Sequence, residues 1–227
     1  MGRRYNCFLA HSPPYKQSNA RQAKIVVVEE LSLFCFPKIL EKHRSKSEKI
    51  FGSVINNQTI FHYEVIIGYF YEDGFGVNKN EIIAFEWYKK ASGVGNLNGY
   101  FEVGYCFNFG YSIEKSFKKA LEYYQHASDN GINIATYFLA AYHEFENDFV
   151  KAFELYKKSA ENGFIPSQYK LAIFYENGKG IQQVTQQSAK INKLNALKWY
   201  KKFLENDGVY NNSYNIKDSS SSLVKLF

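Results

Sequence analysis

The feature that most constrains this chain is a unit that occurs four times between residues 59 and 208. Its first half, Ile67-Gly68-Tyr69-Phe70-Tyr71-Glu72-Asp73-Gly74-Phe75-Gly76, returns without gaps as Val103-Gly104-Tyr105-Cys106-Phe107-Asn108-Phe109-Gly110. It returns again as Leu139-Ala140-Ala141-Tyr142 and as Leu171-Ala172-Ile173-Phe174-Tyr175-Glu176-Asn177-Gly178-Lys179-Gly180. The second half, Ala84-Phe85-Glu86-Trp87-Tyr88-Lys89-Lys90-Ala91, is echoed from Ala120 through Tyr123-Tyr124, from Ala152 through Leu155-Tyr156, and from Ala196 through Trp199-Tyr200. Such self-similarity marks a supersecondary module that buries its apolar face only against its neighbours, so the fold is a stack of modules.

Both halves show helical spacing. Ala84, Trp87, Tyr88 and Ala91 fall at i, i+3, i+4 and i+7, the apolar stripe of an amphipathic helix, while Glu86, Lys89 and Lys90 face away. Tyr63, Ile67 and Tyr71 fall at i, i+4 and i+8, so each unit reads as a helix A followed by a helix B. Gly68 and Gly104 lie in mid-helix, where glycine costs about 1 kcal/mol relative to alanine. Ala140 and Ala172 keep that position small, so helix B or one of its rings is expected to press against it. Gly74 with Gly76, and Gly178 with Gly180, stop helix A and supply positive φ before helix B. Gly95, Gly131 and Gly163 end the B helices at a constant offset, with Gly208 displaced by one.

The alanines that open the B helices, Ala84, Ala120, Ala152 and Ala196, are 36, 32 and 44 residues apart. Insertion inside a helix would rotate its buried face away from the core, so the variation is assigned to the loop between A and B. That loop runs from Gly74 to Asn80 in unit one, nearly vanishes around Asn147 and Asp148, and expands through Gln182 to Lys193 in unit four. The units run about 59–95, 96–131, 132–163 and 164–208. Trp87, Tyr123, Leu155 and Trp199 recur at one helix B position and Tyr88, Tyr124, Tyr156 and Tyr200 at the next; both rows are read as inter-helix core.

The run Ile67-Gly68 with Gly74-Phe75-Gly76-Val77, then Ala84 with Trp87-Tyr88 and Lys90-Ala91, resembles the Sel-1-like repeat over residues 59 to 208. A plain tetratricopeptide array, with its near-fixed spacing of about 34 residues, fits the variable interval less well. The resemblance implies an all-α fold, a right-handed α/α superhelical solenoid of about four helix-turn-helix repeats whose A helices line a concave, partner-binding surface. It implies a non-enzymatic protein-interaction scaffold or adaptor in signalling or complex assembly. On the A helices, Tyr69, Tyr105, Ala141 and Ile173 share one position, and Glu72, Asn108, Glu144 and Glu176 share another three residues later, hence the same face. Tyr69, Glu72, Tyr105, Asn108, Glu144, Ile173 and Glu176 are the candidate partner-binding residues, suited to a peptide carrying apolar and basic groups. The alternative is that the glutamates only solvate the face.

Charge distinguishes the ends from the array. The first 50 residues hold ten Lys or Arg, including every arginine, against four acids; from residue 51 the balance is 18 against 18. Residues 1–38 are therefore expected to be a basic, poorly ordered arm, with nucleic-acid or anionic-membrane association through it as the alternative function. Residues 39–58, containing Ile39, Leu40, Ile50, Phe51, Val54 and Ile55, read as a degraded repeat or capping helix, with Phe51 36 residues ahead of Trp87. Residues 209–227 read as a polar tail or a short cap ending in Leu223, Val224, Leu226 and Phe227. No run approaches the roughly 18 apolar residues that cross a bilayer, and no apolar leader core precedes Pro13 and Pro14. Cys7, Cys35 and Cys106 lie far apart without a C-x-x-C pair, so the reducing cytoplasm is expected.

Nothing in the sequence assembles a reaction centre. His143 takes the helix A position of Tyr71 and Tyr175, His126 falls on the outer face of helix B, and neither has metal-ligand spacing. Cys106 lies among aromatics as a small apolar group. His43-Arg44-Ser45 lacks the aspartate of a kinase catalytic loop. No catalytic residue, cofactor, metal or small-molecule substrate is expected; the partners are proteins or peptides.

Overall fold

A computed structural model describes residues 44–56, 63–181 and 186–207. The expected arm of residues 1–38, the segment from Ile39 to His43, Gly208 and the tail 209–227 lie outside the described residues. The described residues form helices and turns, with no strand. A 3-10 turn, Arg44–Lys46, leads into α1 (Ser47–Ile55). Four antiparallel A/B pairs follow. They are α2 (Tyr63–Asp73) with α3 (Glu81–Gly93), α4 (Leu97–Phe109) with α5 (Phe117–Asp129), α6 (Asn133–Phe145) with α7 (Phe149–Glu161), and α8 (Ile165–Asn177) with α9 (Gln186–Asp207). Each helix packs on the one before it and the one after it, which makes the array an α/α solenoid.

The repeats are written into the local chemistry of the helix ends. Asn80, Ser116 and Asp148 occupy the same register four residues before the helix B alanine, and each accepts backbone N–H bonds from the first turn it caps. Such caps contribute about 1 kcal/mol each. Asn96 does the same for α4.

Helices A and B of one unit meet through the small residue of A and the tyrosine of B. Tyr88 and Tyr156 are completely buried, and Tyr124 and Tyr200 nearly so. A β-carbon added to Gly68 would stand 2.6 Å from Cδ1 of Tyr88, and one added to Gly104 would stand 2.9 Å from Cδ1 of Tyr124. In units one and two, then, the tyrosine ring lies directly on the glycine backbone. Units three and four accommodate a methyl group there, Ala140 and Ala172, both fully buried.

The neighbouring aromatic row differs from the sequence expectation. Trp87, Tyr123, Leu155 and Trp199 are half-buried rather than core, flanking the inter-helix seam. Lys90 Nζ lies 4.6 Å over the Trp87 ring and Lys202 Nζ 4.8 Å over that of Trp199, so the outer ring faces are covered by lysines that reach into solvent. One helical step of about 100° separates this row from the tyrosines, enough to move it from the core to the seam.

The insertion of unit four also differs. Gln182 to Lys193 was expected to be loop, yet α9 begins at Gln186 and runs for 22 residues where the other B helices have 13. The stretch from Gln186 holds no glycine or proline, so nothing stops the helix from starting early. Register survives because the added turns lie ahead of the packed segment: Ala196 and Tyr200 stay buried at their repeat positions.

Seams between units reuse one device. In unit four, Gly180 has φ +67°, and a β-carbon there would stand 2.8 Å from the carbonyl carbon of Phe149, the first residue of α7. In unit one, Gly76 has φ +69° and lies in the same way against the carbonyl of Ser47, the first residue of α1. The edge-on ring pair Phe51–Tyr71 likewise matches Phe85–Phe107 and Phe153–Tyr175. Thus α1 lies where the helix B of a preceding unit would lie, in a register that pairs Phe51 with Phe85. The spacing of Phe51 to Trp87 suggested a register two residues off. Val54 of α1 is fully buried against α2, in the place that Tyr88 holds in α3.

Candidate functional site

The A helices present a row of side chains along the array, and each neighbouring pair of A helices is joined across it by a different chemistry. Between α2 and α4, the Tyr69 hydroxyl donates to Oε1 of Glu102 at 2.5 Å. Between α4 and α6, Tyr105 meets Phe138 edge-on with ring centroids 5.8 Å apart. Between α6 and α8, Lys170 Nζ donates to Oε2 of Glu144 at 3.0 Å. Glu102, Phe138 and Lys170 occupy one repeat position, which α2 fills with Ile66.

Glu102 is only 2% exposed, so its carboxylate depends on such donors.

The glutamates three residues beyond the Tyr69 position do more than solvate the face. Glu72 accepts the Tyr88 hydroxyl at 2.5 Å, Glu144 that of Tyr156 at 2.8 Å, and Glu176 that of Tyr200 at 2.7 Å. Each of these carboxylates therefore ties helix A to the buried tyrosine of helix B in its own unit. The acidic row is built into the repeat. Unit two carries Asn108 at this position, half-buried. Ile173 packs against the cluster of Ala172, Ala196 and Tyr200. Of the seven candidate residues, Tyr69, Glu72, Tyr105, Glu144 and Glu176 all take part in contacts that hold the array together.

Burial raises the affinity of Tyr156 and Tyr200 for their protons. Desolvation first, then the carboxylate of Glu144, hold Tyr156 well above the ordinary tyrosine range; desolvation and the bond to Glu176 do the same for Tyr200. Burial also raises Tyr175, with Glu161 nearby. A folded-state value above the unfolded one means that stability is complete below the unfolded tyrosine value of about 10 and declines as pH rises beyond it. Urea midpoints measured at rising alkaline pH should fall once pH passes about 10, in step with the tyrosinate absorbance band; a flat midpoint would show that the buried tyrosines do not drive it.

Sequence reasoning missed the most exposed apolar groups of this face. Phe109, at the end of α4, is 47% exposed and rests on Tyr105 at 4.4 Å and Tyr111 at 6.0 Å, with Phe138 edge-on at 6.4 Å. One unit on, Phe145 stands at the same repeat position and is 79% exposed. The signal was present in two of four units only: the position is Asp73 in α2 and Asn177 in α8, so no periodicity flagged it.

The titratable groups elsewhere remain scattered. His143 is half-buried; burial and Lys151 lower its proton affinity against the pull of Asp148, whose Oδ2 lies 3.5 Å from Nδ1. His126 stacks on Tyr100 with centroids 3.9 Å apart, and Cys106 is buried. Among the described residues no group of three His, Cys, Asp or Glu side chains could hold a metal, and no helix is long and apolar enough to cross a membrane.

The comparisons with known proteins agree with this architecture. The Sel1 repeat family matches residues 65–96, 98–132, 134–164 and 165–207. A Sel1 repeat protein from Oxalobacter formigenes aligns with a TM-score of 0.60 at 22% identity, over 82% of this chain and 71% of that one. A protective antigen of uropathogenic Escherichia coli strains, displaying an SLR fold, aligns with a TM-score of 0.54 at 25% identity; the match spans 70% of this chain and only 33% of the antigen. No curated protein sequence matches the chain.

Proposed function

The chain belongs to the Sel1 repeat family, and from that premise we propose that it is a non-enzymatic adaptor whose helix A face captures a partner polypeptide. Sel1 repeats generally mediate protein–protein interactions, and one observation supports the choice of this face. Phe109 projects from an aromatic bed of Tyr105, Tyr111 and Phe138 in the middle of the row, with exposed Phe145 one repeat on. Large exposed aromatic groups on a rigid support are the side chains that carry most binding energy at protein interfaces. Along the same helix A row stand Tyr69 and Glu72 of unit one, Asn108 of unit two, Glu144 of unit three, and Ile173 and Glu176 of unit four. A partner segment with an apolar side chain, bordered by basic or hydrogen-bonding groups, suits it. The helix α1 serves in this reading as the amino-terminal cap of the array, and the cytoplasm is its compartment, on the cysteine pattern.

Peptides selected from a random display library against the full chain test the reading. Replacing Phe109 by aspartate removes an exposed ring and leaves the buried tyrosines in place. The selected peptides should bind Phe109→Asp at least about tenfold more weakly, the loss expected for a central interface aromatic, while its circular dichroism matches the parent. Undiminished binding by a folded variant would move the partner site off this face.

A further inference from the structure

A cleft of about 500 Å³ opens between α3 and α5, on the side of α4 away from the helix A row. Phe107, which lines it, leaves α4 two residues after Tyr105 and so points about 200° round the helix from it. We propose that this cleft is a second recognition site, which takes an acidic peptide through one aromatic or aliphatic anchor residue.

The walls are aromatic. Phe85 meets Phe107 edge-on at 5.9 Å, and Phe107 stacks with Tyr123 at 5.9 Å, so three rings form one continuous apolar surface. The rim is basic, carrying Lys89, Lys115 and Lys119, all exposed. A volume of this size matches the clefts that hold small ligands or a buried peptide side chain. Glu114 is the acid in the lining, and Glu86 reaches Lys89 only at 3.9 Å.

The lysine charges are poorly compensated for a reason visible in the repeat. Lys79 is the unit-one counterpart of Lys115, and it pairs with Glu81 at 2.8 Å. Unit two puts Phe117 where unit one has Glu81, so Lys115 Nζ lies 4.4 Å over a ring instead of beside a carboxylate. Lys119 Nζ lies 5.1 Å over the Phe107 ring. Ring contact leaves each ammonium its full charge. Among the described residues no carboxylate lies within ion-pair distance of Lys115 or Lys119. From residue 51 onward the chain has equal numbers of basic and acidic residues, so this rim is a local excess of positive charge over an apolar floor. Carboxylates flanking an apolar side chain complement both parts at once.

Titration of the full chain with fluorescein-labelled Asp-Glu-Phe-Asp-Glu, read by anisotropy, tests the proposal. Binding should weaken as salt rises from about 50 to about 300 mM, as screening shortens the reach of the lysines. It should fall at least about tenfold in the variant Lys89→Gln/Lys115→Gln/Lys119→Gln, and in the single loop variant Lys115→Glu should the triple change disturb folding. The peptide with alanine in place of its phenylalanine should also bind at least about tenfold more weakly, and Phe109→Asp should bind the probe as the parent does. That last arm separates this site from the helix A face. Equal binding of Asp-Glu-Ala-Asp-Glu, or undiminished binding by the lysine variants, would overturn the proposal.

Discussion

Replacing Tyr156 by alanine will lower the unfolding free energy by about 3–5 kcal/mol, the cost of emptying a fully buried aromatic site. Tyr156 is completely shielded from solvent, its ring packs edge-on against Phe174 at 5.2 Å, and its hydroxyl is bound to Glu144. Tyr156→Phe divides the two contributions. It keeps the ring and removes a hydrogen bond to a carboxylate, which costs about 1.5 kcal/mol. Trp87→Ala gives the contrast. The tryptophan is larger, but it lies half-buried at the seam, so its loss should cost less than about 2 kcal/mol by the area it covers. Urea unfolding followed by circular dichroism ranks the three variants. A Trp87→Ala cost equal to that of Tyr156→Ala would mean that the tryptophan row is core after all.

The second large effect is expected at Gly180. Its φ of +67° is left-handed, and a β-carbon would press on the Phe149 carbonyl and stand 2.8 Å from Cβ of Phe153. Left-handed strain costs about 1–2 kcal/mol for an alanine, and overpacking adds about 1–3 kcal/mol. The atoms in the way are helix backbone and a β-carbon fixed to it, so they cannot swing aside. Gly180→Ala should therefore destabilise by about 2–5 kcal/mol. Gly131→Ala isolates the strain: φ there is +92°, but nothing lies within 4 Å of the added carbon. It should lose no more than about 1–2 kcal/mol. Equal losses at the two sites would show that the loop of unit four does not grip α7.

Much of the fold could be read from the chain because it is periodic. Spacing gave both helices of each unit, and the recurring small residue opposite a recurring tyrosine gave their contact. Three things escaped for physical reasons. Whether a half-apolar insertion coils or loops depends on the absence of helix breakers, and Gln186 to Lys193 holds no glycine or proline, so α9 lengthened. Tyr88 and Trp87 are neighbours of similar character, and only the packed geometry separates core from seam. The carboxylates of Glu72, Glu144 and Glu176 looked exposed because their partners are far off in sequence, 12 to 24 residues away on helix B. The proposed binding surfaces were the least legible. Phe109 and the basic cleft lie at positions that vary from unit to unit, and a reading by periodicity averages such variation away.

The clasp formed by Gly76 on α1 and by Gly180 on α7 also bears on how such a chain can grow. The clasp meets helix backbone across the seam, and in units one, three and four the tyrosine–glutamate link closes within the module itself. An in-frame duplication of unit one or unit four would thus carry this clasp and link with it, while the contacts between A helices, which differ from seam to seam, would have to be rebuilt. Some differences between copies, such as Phe117 where unit one has Glu81, fall outside this clasp and link.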